Sequence, residues 1–111
     1  MSENRLKILC DLVSEVHAQI QKDFADINPV VGVSQKMRDI GVPADAMTID
    51  CLKSGKRIIL VLHDQQPEMI NYQFSFKSDD PSDEFEQLEF KALTFQVVYD
   101  WIKNYFSSAV N

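Results

Sequence analysis

Residues 46–77 read AMTIDCLKSGKRIILVLHDQQPEMINYQFSFK, and this stretch decides the fold. β-Branched, aromatic and other apolar residues fill three short runs separated by polar turns, a pattern of strands. The pair Ser54-Gly55 supplies a turn between the first two runs, with glycine free to take positive φ. A two-residue loop there predicts a hairpin over 46–63, with Cys51 opposite Ile58, Ile49 opposite Leu60, and Met47 opposite Leu62. Those six residues then share one face of a sheet. Thr48, Asp50, Leu52, Ile59 and Val61 take the other face, which is only partly polar. Over 69–77, Ile70, Tyr72, Phe74 and Phe76 alternate with Asn71, Gln73, Ser75 and Lys77, predicting a third strand. The short polar connection at 64–68 makes an antiparallel meander the simplest path.

Helices are expected on both sides of this segment. Leu6, Leu9, Val13, Val16, Ile20 and Phe24 recur at steps of three or four, predicting an amphipathic helix over 4–26 that stops before Pro29. A short helix is expected over 34–40, with Ser34 as N-cap, Gly41 as left-handed stop, and Met37 and Ile40 facing the core. After an acidic loop at 78–86, residues 87–91 offer a further short strand. A last helix is expected over 95–108, with Thr94 as N-cap and Leu93 and Val98 as a hydrophobic staple. Three or four strands cannot bury their apolar face alone. The expected fold is therefore a single α+β domain over 1–111, in two layers. A three-stranded meander sheet, four-stranded if 87–91 pairs, is covered by the first and last helices.

Charge narrows the function classes. The 111 residues carry a net charge of −6, but 78–92 alone holds six acidic groups against one basic, and the rest is nearly neutral. With no cluster of Lys and Arg to displace phosphate counterions, nucleic-acid binding is not expected. No apolar run reaches membrane-spanning length, and no basic-then-apolar leader pattern opens the chain, so a cytoplasmic protein without membrane contact is expected. Two cysteines make no disulfide framework.

Chemistry-bearing residues are few. The positions one turn from His17 are Val13, Ser14, Ile20 and Gln21, so no second metal ligand accompanies it. Cys51 falls on the inward hairpin face and reads as a core thiol. The three glycines are widely separated, which argues against the familiar phosphate-binding loops. No cofactor, metal site or catalytic residue is expected. In the acidic segment, Asp79, Asp80, Asp83, Glu84 and Glu86 are candidates for electrostatic contact with a basic protein partner, with Phe85 as apolar anchor. Leu52, Ile59 and Val61, together with the broadly apolar last helix, suggest more hydrophobic surface than a monomer covers, hence a homodimer.

Small size, acidity and the helix–meander–helix order are similar to those of dimeric secretion chaperones and of small immunity or adaptor proteins, though no motif carries that likeness. The leading expectation is a non-enzymatic protein-binding module. The alternative is a small-molecule site or minor enzyme between sheet and last helix, lined by Tyr72, Phe74, Trp101 and Tyr105, with His63 as its polar group.

Overall fold

The computed structural model describes residues 5–25, 27–78 and 84–107. Helix α1 spans Arg5–Asp23, strand β1 Pro29–Ser34, the short helix α2 Lys36–Asp39, β2 Ala44–Cys51 and β3 Lys56–His63. Then follow β4 at Met69–Phe76, β5 at Glu86–Glu89, a 3-10 turn at Phe90–Ala92, and α3 at Phe95–Ser107. The class is the expected α+β, but the sheet has five strands rather than three or four. They pair antiparallel in the order of the chain.

The added strand is β1, whose sequence is PVVGVS. Pro29 begins it, and a proline is tolerated at the first residue of a strand on an edge. The valines favour extended backbone, yet neither strict alternation nor length announces a strand. β5 is also shifted, occupying 86–89 instead of 87–91, because the chain turns into the 3-10 segment at Phe90.

The central hairpin keeps its expected faces but not its expected register. Ile49 lies opposite Ile58, Met47 opposite Leu60, and Asp50 opposite Arg57. The loop is four residues, Leu52 to Gly55, closed by the Gly55 N–H donating to the Cys51 carbonyl at 2.8 Å. Gly55 takes φ +77°, the left-handed conformation that glycine adopts without steric cost. A slip of two residues leaves every side chain on its original face. Met47, Ile49, Cys51, Ile58, Leu60 and Leu62 are accordingly all buried in one core.

That core lies between the sheet and the helices. α1 contributes Leu9, Val13, Val16 and Ile20, and α3 contributes Val98, Ile102 and the buried Phe106. Thr94 caps α3, its Oγ1 accepting from the Val97 N–H at 3.4 Å. Leu93 and Val98 both join the core.

The opposite sheet face is partly covered from within the chain, which corrects the expectation of exposed apolar residues there. Ile59 and Val61 are buried with Ala44, under Met37, Val42, Ala46 and Phe85. Leu52 is exposed on its loop. α2 covers only Lys36–Asp39, with Gln35 rather than Ser34 at the cap position. Gly41 has the expected positive φ, +95°, but Ile40 is 78% exposed instead of core-facing. Among the described residues, no helix is long and apolar enough to cross a membrane.

Candidate functional site

The two edges of the sheet differ in chemistry. β5 carries Glu86 and Glu89, both exposed, and charge on an edge strand discourages pairing with another chain. β1 carries no charge, and Val30, Val31 and Val33 are 44%, 37% and 47% exposed. An edge strand holds backbone donors and acceptors that its sheet does not use, so β1 offers a template for another strand. Its position is fixed by six register pairs, from Pro29 opposite Cys51 to Ser34 opposite Ala46. His17 holds the first residue of β1: its Nε2–H donates to the Pro29 carbonyl at 2.8 Å. A carbonyl only accepts, so this nitrogen carries the proton. His17 is thus a tether between α1 and β1.

The aromatic residues expected to line a pocket do come together. The Trp101 ring centroid lies 4.5 Å from Tyr72 and 5.8 Å from Phe74, and Phe74 stacks on Tyr105 at 5.0 Å. The Tyr105 hydroxyl donates to the Ser75 carbonyl at 2.7 Å, and burial pushes this phenol's pKa up. The rings pack on one another more than they enclose space. What remains is a shallow groove of about 370 Å³ between Phe74, Trp101 and Tyr105, edged by Asp100 and Asn104. His63 is not part of this cluster. It pairs with Ala44 at the end of β3, on the face opposite the aromatics. A second groove, about 350 Å³, lies between Pro67, Glu68 and the Glu89–Lys91 turn.

Of the acidic segment, Asp79, Asp80 and Asp83 lie outside the described residues. Glu84 is exposed, and its carbonyl accepts from Gln73 Nε2 at 2.8 Å. Phe85 is half-buried on its own sheet, against the Ile59–Val61 cluster. Glu86 is exposed on β5.

Sequence reasoning missed three arginine anchors. Arg38 donates to both Asp45 and Asp64, through Nε and Nη2 to Asp45 at 2.6 and 3.0 Å and through Nη1 and Nη2 to Asp64, each at 2.9 Å. The guanidinium holds both carboxyls below the usual carboxylate range and is itself raised by them. The cluster fastens α2 to β2 and to the residue after β3. Arg57 makes a two-bonded pair with Asp50 at 2.6 and 2.9 Å. The four-residue loop puts these two opposite each other, whereas the two-residue loop set Asp50 against Ile59. Arg5 donates to the carbonyls of His63, Met69 and Gln66, pinning the start of α1 to the β3–β4 connection. No spacing in the sequence signals contacts between residues some 60 positions apart.

Both cysteines are free; Cys51 is buried, and burial raises the thiol of Cys10. A reactive cysteine requires the opposite shift. Among the described residues, no three His, Cys, Asp or Glu side chains gather as metal ligands. Comparison with protein-family models, curated proteins and solved structures finds no significant match to this chain.

Proposed function

We propose that this chain is a small protein-interaction module, working in the cytoplasm, that receives an extended strand of another polypeptide along β1. Binding rather than chemical turnover is its task. The observation that carries this reading is the open, uncharged β1 edge with three exposed valines, set against a β5 edge guarded by glutamates. Backbone hydrogen bonds would supply affinity, and the alternate side chains would supply specificity. The excess negative charge of 78–92, which is no part of β1, favours encounter of the module with a further, basic partner.

A titration of 15N-labelled protein with extended peptides, apolar in the centre and flanked by Lys or Arg, tests the reading. Amide shifts at Val30–Ser34 and on the facing residues of β2 are the expected result. Peptides that bind elsewhere, or a full panel leaving β1 unmoved in a dilute, monomeric sample, contradict it.

The Phe74–Trp101–Tyr105 groove favours a second reading, a site for a flat or cationic group held by aromatic faces and Asp100. A thermal-shift screen with small organic cations checks it, since a bound ligand raises the unfolding temperature.

A further inference from the structure

We propose that the strand received by β1 is β1 of a second copy of this chain, crossing antiparallel at Gly32 and joining two five-stranded sheets into one. The inference rests on the strand-addition reading above and names its occupant.

Gly32 is the first reason. Its φ is not positive, and a Cβ placed on it would meet nothing nearer than Thr48 Oγ1 at 3.4 Å, an ordinary contact. Folding of one chain therefore does not require glycine here. Glycine within a strand weakens it and often marks a place where another backbone comes close.

Charge is the second reason. Two copies of a chain with net charge −6 repel wherever acidic surfaces meet. Self-pairing through β5 would bring Glu86 and Glu89 against like charge. β1 has no charged residue, and the Asp50 beside Val30 is already neutralised by Arg57. The β1 edge lets two copies meet without opposing charges.

Symmetry then sets the register. A two-fold axis keeping the helices of both copies on one side requires residues of like face to oppose each other. With Gly32 on that axis, Val31 faces the partner's Val33, and Val30 faces the partner's Ser34. One strand pair is a small contact, so association depends on concentration.

Sedimentation of the full chain between roughly 1 µM and 1 mM tests the inference. The wild type is expected to approach twice the 12.7 kDa monomer mass at the upper end. The double variant Val31→Lys, Val33→Lys should stay monomeric with an unchanged far-UV spectrum, while Glu86→Lys still dimerises. Under mild oxidation, Gly32→Cys should form an interchain disulfide at least about tenfold faster than Val30→Cys, since opposed Cα atoms lie within disulfide reach. The wild type should form none. A wild type that is monomeric throughout overturns the inference, as does a dimer that survives the lysines or equal cross-linking by the two cysteines. A monomer whose β1 amides still shift with peptides loses the second copy alone. A lysine-insensitive dimer with peptides leaving β1 unmoved removes the strand-addition reading as well.

Discussion

Val31 of β1 lies directly opposite Ile49 of β2 on the same face of the sheet, yet Ile49 is fully buried and Val31 is 37% exposed. One strand spacing separates core from edge. Ile49→Ala should therefore cost about 2–5 kcal/mol, the range for truncating a buried isoleucine. Val31→Ala should cost less than about 1 kcal/mol in dilute solution. Urea unfolding of the two variants checks this, and equal losses would mean that β1 is covered within the single chain.

The Arg38 cluster makes stability depend on pH in a definite direction. Asp45 and Asp64 have carboxyls held below their ordinary range by hydrogen bonds from Arg38. A group depressed in the folded state adds stability above its unfolded pKa, about 3.9 for aspartate, and loses it as pH falls through the folded value. Asp45→Asn should lower the unfolding temperature at neutral pH, and its difference from the wild type should shrink below about pH 4. Melting curves across pH decide the point. A difference that persists unchanged at pH 2–3 would place the stabilisation outside the charge of Asp45.

Two glycines should respond oppositely to alanine. Gly55→Ala forces a side chain into φ +77° and should cost about 1–2 kcal/mol. Gly32→Ala meets only Thr48 Oγ1 at 3.4 Å and should leave the monomer neutral or slightly more stable. Denaturant midpoints measured side by side test the contrast, and a marked loss at Gly32 would show that the lone chain needs that glycine.

Trp101, the single tryptophan, packs on Tyr72 and Phe74 while remaining half-exposed. Trp101→Ala should cost about 2–3 kcal/mol, less than for a fully buried tryptophan, with loss of near-UV dichroism. Retained stability would mean that α3 is held without this contact.

The elements that were legible in the sequence are those with a sustained period on one buried face. α1 showed its Leu9, Val13, Val16, Ile20 stripe, and all four are buried. β4 showed its alternation. The faces of the hairpin survived an error in its loop because a shift of two residues preserves side. β1 is hard to read from sequence for the reason that it matters: exposed on both faces and interrupted by Gly32, it has no buried period. Ile40 looked like core by type alone, but the brief α2 ends at Asp39 and leaves it outside. Of the aromatic cluster, the sequence placed four rings together by their shared faces. A strand-end position suggests His63 as their polar companion, but the pleat puts it on the other side.

Residue-resolved amide exchange along Val30–Ser34, in dilute and in concentrated solution, tests the central claim that β1 is an open edge awaiting a strand. On this account, alternate β1 amides exchange freely when dilute and gain protection as concentration rises, while β5 amides do not change. Free alternate amides with no gain on concentration would remove the second copy alone; protection of every β1 amide at all dilutions would contradict the open edge itself.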